Sequence, residues 1–568
     1  MDLLAALLLH LTLTGLPIAA GALGWARRGV RSVPVLLALG LATGAGLAMA
    51  TFWAFTLSPT VGKVFSVAAL AGSLMTIGLA LRGSGVPRDL LRALGVPFGL
   101  WALGSCFLLL LGFAHGGAAT PIATATTRFT HQLPGDSQIP FFYATVFYEG
   151  FDGPPPQFPG QWLSSDRPHL QTGYLLGHRL WEWGDPELQY QVGGVVLQQL
   201  WIIGLWALLS ACVGPTTRAL VMVAALLSDL TITNGFFVWP KLLPVALLLA
   251  LTAVLATGHQ RWIRRDWRGA VLVAALATLA MMGHGSSVFG LLALLVLVVV
   301  RTVLAGPWPS WRWLGAAAAV AALVLAPWSL YQQHVDPPGN RVLKWHLAGQ
   351  VDVDERGTVE TVIDAYHRVG LDGALENKWW NLRTMAGVAS DRYQPGPGVG
   401  PVEAVVKERR ASAWYGLLPS LGLLLLGPVA LLVGWREASR RPADRDFAVL
   451  SLGLAAVGAL AWGMVQWGPP AAMSVLHAGS LLLPLLALCG CVAALRAVLP
   501  RVAIAWVALY ALVQLLLYVP SFDPPRGTTY SVPLLLGSAA CLAAYTGVVT
   551  RSVVAGRRGR RRCDLRHG

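Results

Sequence analysis

The chain has 568 residues, 55 % of them hydrophobic and only 12 % charged, with a mean hydropathy of +0.60. An ordinary globular chain carries about a quarter charged residues, so the polar side chains are too few to cover the roughly three or four soluble domains the length suggests. Disorder, a coiled coil and a disulfide scaffold are excluded with them, and the formal charge of +15 argues for nucleic acid only if its distribution is ignored.

A bilayer-spanning helix needs about 20 mostly apolar residues, because hydrocarbon cannot satisfy an exposed backbone. Four such segments open the chain, at 4–25, 33–55, 64–81 and 94–115. After a long connection come 192–213, 219–237, 241–258, 269–283, 287–304 and 313–333. A second long connection leads to 413–434, 447–466, 473–495, 502–520 and 532–550. The pair flanking Gly283 to Ser287 is short enough to be a re-entrant hairpin. The predicted fold is all-α, a polytopic integral membrane protein of roughly 15 transmembrane helices with two long non-cytoplasmic loops.

Charge sets the expected orientation. Alternate short connections and the tail hold 26 basic residues, from Arg27, Arg28 and Arg31 through Arg261, Arg264, Arg265 and Arg268 to the cluster Arg557 to Arg562. The intervening short connections hold only Lys63, Lys241 and Arg526. Basic connections stay in the cytoplasm, which puts the N-terminus outside and the C-terminus in the cytoplasm. The basic tail reads as an anchor to anionic lipid and not as a nucleic-acid site. The 37 Arg against 5 Lys in an Ala- and Gly-rich chain go with a GC-rich bacterial genome, hence a bacterial inner membrane. Six cysteines, in spans or the tail, show no metal spacing and read as packing residues.

The long connections, 116–191 and 334–412, face outward in this topology, and long loops in compact membrane proteins are usually functional. The first holds three basic and seven acidic residues, the second ten and eleven. In the first, Ile139 to Phe147 and Leu170 to Trp183 suit two amphipathic helices in the membrane interface, with Tyr143, Tyr148, Trp162, Trp181 and Trp183 as aromatic anchors. Asp136 and Asp166 precede these helices, where a helix N-terminus is expected to lower a carboxylate's pKa and keep it ionised. Such a group can deprotonate a hydroxyl or hold a divalent ion.

An outward-leading helix, an Asp opening the Ile-Pro-Phe-Phe-Tyr-Ala helix, then Arg167-Pro168-His169-Leu170 starting a second helix, resembles the first exterior loop of GT-C glycosyltransferases. The nearest pattern is that of the aminoarabinose-transferase and protein O-mannosyltransferase branch, whose usual form is Asp-Glu, an interface helix and Lys-Pro-Pro-Leu. Here Ser137 stands for the Glu, Arg167 for the Lys and His169 for a Pro. The resemblance implies a seven-helix core over 94–333, preceded by three extra helices in 1–93 and followed by the loop 334–412, five helices in 413–550 and a basic tail, 551–568. It implies transfer of a sugar from a polyprenyl-phosphate carrier to a lipid, glycan or protein hydroxyl outside the cytoplasm.

On that resemblance the catalytic carboxylates are Asp136 and Asp166. A phosphodiester leaves readily, so the chemistry needs a base on the acceptor hydroxyl and cations beside the departing phosphate. Asp136 is the candidate base. Lys241, an exterior lysine against the basic trend, and Arg167 are the candidate phosphate ligands; Lys241 equally suits an interfacial anchor or a partner for Asp229. Asp229 lies within a span about two turns from its outer end, where an ionisable residue is costly and functional by default. His169, Gln171, Tyr143, His284 and Asp336 complete the candidate cavity, although His284 with Ser286 also suits a helix cap. Asp352 and Asp354 read as a solvated surface pair, and Trp379 and Trp380 as packing inward. No cofactor or ATP motif is present, no metal site is assigned, and a divalent cation stays open. Alternative readings are a secondary transporter or lipid flippase, which places its site at the midplane in broken helices, and a non-catalytic envelope-assembly protein of the same fold.

Overall fold

The computed structural model describes residues 2–82, 85–130, 133–257, 266–305, 308–387, 399–468, 482–521 and 530–564. Arg261, Arg264, Arg265, Arg526 and the first part of the expected 473–495 span lie outside the described residues.

Regular structure among the described residues is helical. The chain opens with α1 Asp2–Arg27, α2 Val33–Leu57, α3 Pro59–Leu81 and α4 Arg88–Phe113. The first long connection contains α5 Pro121–Thr127, α6 Ile139–Glu149 and α7 Leu170–Arg179. Next come α8 Pro186–Gln198, α9 Trp201–Cys212, α10 Pro215–Leu226, α11 Asp229–Phe237, α12 Leu242–Thr257, α13 Trp267–Gly283, α14 Ser287–Ala305 and α15 Trp311–His334. The second connection carries α16 Arg341–Ala348, α17 Thr358–Met385 and α18 Pro401–Tyr415. The remaining helices are α19 Leu417–Leu421, α20 Leu426–Val433, α21 Trp435–Ala438, α22 Pro442–Val465, α23 Leu482–Val498, α24 Val502–Tyr518 and α25 Val532–Asp564.

Local chemistry sets many of these boundaries. Ser58 caps α3, Asp185 caps α8 and Ser228 caps α11, each side-chain oxygen accepting a first-turn N–H. Pro59 and Pro186 take the first-turn places where an N–H has no helical partner.

Nine helices among the described residues are long and apolar enough to cross a membrane, or eleven if each of two bent pairs is one span. The apolar helices α12, α13, α23 and α24 are shorter. A helix hydrophobic on every side belongs in a core, and α12 is buried from Leu242 to Leu255. It packs against α9, α2 and α13. At the periphery, Leu304, Leu323, Leu432 and Val433 are exposed; such apolar surface belongs in lipid.

Three expectations change. Helix α7 has no open polar face: Leu170 to Leu176 and His178 are buried against α2, α3 and α6, while Trp181 and Trp183 stay exposed. The stretch 413–434 is not one helix. A 112° bend between α18 and the Leu417–Val433 segment breaks it, and Gly422 within it has φ 51°, a backbone region that suits glycine. Trp379 is exposed rather than packed inward, because the Thr361, Ala365, Lys378 and Asn381 side of α17 is the buried one. The α10–α11 pair also bends, by 52°.

Candidate functional site

Asp136 sits in a short 3-10 turn, Gly135–Gln138, immediately before α6. Its carboxylate accepts a 2.5 Å hydrogen bond from Arg167 Nη2 and remains partly exposed. The Arg167 guanidinium lies 4.6 Å from the Trp162 ring centre and 5.3 Å from that of Trp239. Aromatic faces attract a cation without using its N–H donors. Arg167 Nη1 is buried and has no hydrogen-bond partner, a donor that a carboxylate or phosphate oxygen fits.

The connection from α11 to α12 supplies the next group. Val238 adopts φ 55°, an uncommon and strained region for a β-branched residue. It is held there by Gln171 Nε2, which donates to the Val238 carbonyl at 3.0 Å, and by close packing on Gly194, where a Cβ would lie 2.7 Å from Val238. This kink delivers Trp239 and Lys241 to the site. Lys241 is buried, its Nζ 3.8 Å from the Trp239 ring centre and in contact with His284 Nε2. Burial, helped by the positive charge of Arg167, holds its amine well below the ordinary lysine pKa, and Asp136 acts in the other direction. Lys241 is therefore not the partner of Asp229.

His284 also takes the capping role: its own N–H closes α13 on Ala280, and its Nδ1 accepts from the Ser286 amide at 3.1 Å. The second long connection adds His346 on α16, whose Nδ1 is 3.2 Å from Gln466 Oε1. Burial, helped by the nearby positive charges of Lys241 and Arg167, pushes His346 down to about 4. It is neutral near pH 7 and belongs to the same group. Sequence reasoning missed it; the signal was its place in Lys344-Trp345-His346, one turn after Arg341.

Asp166 differs from Asp136. It is buried, Oδ2 accepts the Leu163 amide at 2.8 Å and lies 3.7 Å from Arg341 Nη1, and Oδ1 has no partner. Desolvation raises its pKa to about 6 in spite of that hydrogen bond and of Arg341 and Arg167. The expectation of a lowered pKa fails, because burial outweighs the local dipole. Asp166 also orders the loop: Arg341 continues to the carbonyls of Gln161 and Val351 and lies 4.7 Å from the Trp162 ring centre. Asp336 accepts the Ser165 amide at 2.9 Å, and burial raises its pKa as well.

Three expected cavity residues form the layer behind the site. His169 is buried, stacked 4.5 Å from Phe52, with ring contacts to Tyr143, Phe147 and Trp328, and burial pushes it down to about 3. Tyr143 donates to the Trp162 carbonyl at 2.8 Å. Gln171 spends its oxygen on Gln198 and its nitrogen on Val238. Their polar atoms all have partners within the protein, and these bonds position the loop.

Asp229 is separate. It opens α11, where Arg409 Nη2 stands 3.3 Å and Gln514 Nε2 3.4 Å from its Oδ2, while Oδ1 has no partner. Asp354 pairs with Arg356 at 2.8 Å, and Lys344 donates to the carbonyls of Asp354 and Arg356. Among the described residues no group of three His, Cys, Asp or Glu side chains is arranged to hold a metal.

The site thus joins Asp136, Arg167 and Trp162 of the first connection to Trp239 and Lys241, His284, and His346 of the second. It offers one partly exposed carboxylate beside the Arg167 guanidinium and buried nitrogen donors, a combination suited to a hydroxyl on one side and an oxyanion on the other. No family model matches the chain, and neither a curated protein nor a solved structure matches it.

Proposed function

We propose that the protein is a membrane glycosyltransferase of GT-C type, moving a sugar from a polyprenyl-phosphate carrier to an acceptor hydroxyl on the non-cytoplasmic face of a bacterial membrane. The reading takes the topology of roughly fifteen spans, N-terminus outside and C-terminus inside, that the connection charges favour. The observation that carries it is Arg167, which holds Asp136 with one arm and points an unpartnered N–H from the other. Arg167 Nη1 and Lys241 take the departing phosphate oxygens, where charge grows as the glycosidic bond breaks. Asp136 accepts the acceptor's proton as that oxygen bonds to the sugar. Asp166 and Arg341 hold the loop in place.

The test is transfer of labelled sugar from a synthetic polyprenyl-phosphate donor in isolated membranes. Asp136→Asn should abolish transfer with expression intact, and transfer at the wild-type rate would remove the assignment. A second reading, a secondary transporter or flippase, draws on the bent pairs α10–α11 and α18–α20 and on the Asp229–Arg409 ion pair beside both breaks, since transporters build sites at such discontinuities. Solute exchange in vesicles without a new glycosidic bond would favour it.

A further inference from the structure

Lys241 stands in the site in a chemical state that the hydrogen bonds around it define. His284 Nδ1 accepts from the Ser286 amide at 3.1 Å and lies 2.7 Å from the Ser286 hydroxyl. A ring nitrogen that accepts a backbone N–H carries no proton of its own, so the one proton of the imidazole sits on Nε2. Nε2 is the atom in contact with Lys241 Nζ. An ammonium has three donors and no lone pair, and would set N–H against N–H. A neutral amine has the lone pair that the His284 N–H needs. The contact therefore describes Lys241 as an amine that accepts from an ε-protonated histidine.

The surrounding charges agree. Among the described residues, Nζ is faced by Trp239 of its own turn, His284 after α13, Asp136 and Arg167 of the first connection, and His346 on α16. The Trp239 face and Asp136 favour an ammonium, while burial and the Arg167 guanidinium oppose it. Asp136 and Arg167 already cancel each other as an ion pair. A second buried cation would stand uncompensated, which is the costliest arrangement. Arginine cannot escape that cost by giving up its proton, whereas lysine can.

We propose that donor binding protonates Lys241: the empty site keeps the side chain as an amine, and the phosphodiester enters together with one proton from water. The phosphate oxygens only accept, and they bring one negative charge against Arg167 Nη1, the unpartnered donor. That charge favours the ammonium, which gives up His284 and turns its N–H groups to the phosphate. Charge is then balanced in both states, by Asp136 against Arg167 when the site is empty and by phosphodiester against Lys241 when it is full. The identity of the anion rests on the transfer reading, and the state of the empty site does not.

The experiment counts protons and needs no sugar transfer. Full-length protein in nanodiscs is titrated calorimetrically with a synthetic polyprenyl methyl phosphate, a phosphodiester whose single negative charge stays constant over the range used. A range of about pH 7 to 9 lies above Asp166 at about 6 and His346 at about 4, and below the ordinary lysine value. Repeating the titration in buffers of different ionisation enthalpy gives the number of protons exchanged. One proton should be taken up per probe bound, and affinity should fall by about tenfold for each pH unit, as linkage requires. Lys241→Arg, charged at every pH, should bind with neither proton uptake nor pH dependence. Lys241→Met should bind more weakly, again without uptake. Wild-type binding with no net proton overturns the proposal and leaves the transfer reading standing. Uptake that persists in Lys241→Met places the proton elsewhere and overturns it as well. A wild-type protein that does not bind the probe removes both the proposal and the transfer reading.

Discussion

Arg167 is held from three directions, by Asp136 at 2.5 Å and by the Trp162 and Trp239 rings, and still keeps one buried N–H unmatched. An unmatched buried donor costs about 1–3 kcal/mol, which a bound oxyanion would return. Lysine keeps the charge but loses the fork, so Arg167→Lys should lower transfer by about tenfold or more, on the scale of one hydrogen bond to a charged group. Lys241→Ala should raise the donor concentration needed for half-maximal transfer more than it alters acceptor use; donor titration in membranes separates the two. Asp166 yields a pH prediction. Its folded pKa, about 6, lies above the ordinary 3.8, so the folded state binds the extra proton. Its contribution to stability is complete below about pH 4 and is lost as pH rises to about 6. Asp166→Asn should remove that part of the pH dependence, seen as the difference between wild-type and variant melting curves. The paired acids were visible in the sequence, but their division of labour was not, because burial separates them and no spacing rule reports burial.

At the scale of elements, α7 changes the picture most. Its sequence reads as an amphipathic strip for the interface, yet Gly173 lets it press against α2 so closely that a Cβ would lie 2.1 Å from the Ala48 carbonyl oxygen. The obstacle is backbone, which cannot swing aside. Gly173→Ala should therefore lower the melting temperature in detergent, with a cost of at least the roughly 1–3 kcal/mol typical of an overpacked core. Gly46→Ala in α2, with open space around the new methyl group, should instead be neutral or stabilise by up to about 1 kcal/mol through helix propensity. The aromatic residues around His169 make the same point: Phe52 comes from α2 and Trp328 from α15. A ligand-like histidine in the sequence becomes packing once distant helices surround it.

Across the whole molecule, charged side chains tie the C-terminal helices to the rest. Arg409 on α18 reaches Asp229 on α11, and Gln514 on α24 reaches the same carboxylate. Arg128, after α5, donates to the carbonyls of Val519 and Pro520, and Arg410 to those of Leu517 and Pro520. Both arginines thereby satisfy the carbonyl end of α24, where cations are favoured. Removing one partner of a buried ion pair strands the other charge, at a cost of about 3–5 kcal/mol. Arg409→Met should thus destabilise the protein strongly in thermal melting, and adding Asp229→Asn should recover most of the loss. Recovery in the double variant is the signature of a structural pair; failure to recover would assign Asp229 work beyond holding Arg409.

Long apolar stretches determined by themselves that the chain is helical and lies in a membrane, since a backbone in hydrocarbon must close its own hydrogen bonds and helix is the local way to do so. The connection charges supplied the expected orientation, and the two long connections the residues from which to build a site. Only the tertiary structure decided which of those residues meet. The Asp136–Arg167 pair spans 31 positions, and the Lys241–His284 contact 43. The bends at α10–α11 and α18–α20, the burial of α7 and the neutral state of His346 all arise where separate helices exclude water from one another. That is a property of packing between distant segments, and no local pattern of residues encodes it.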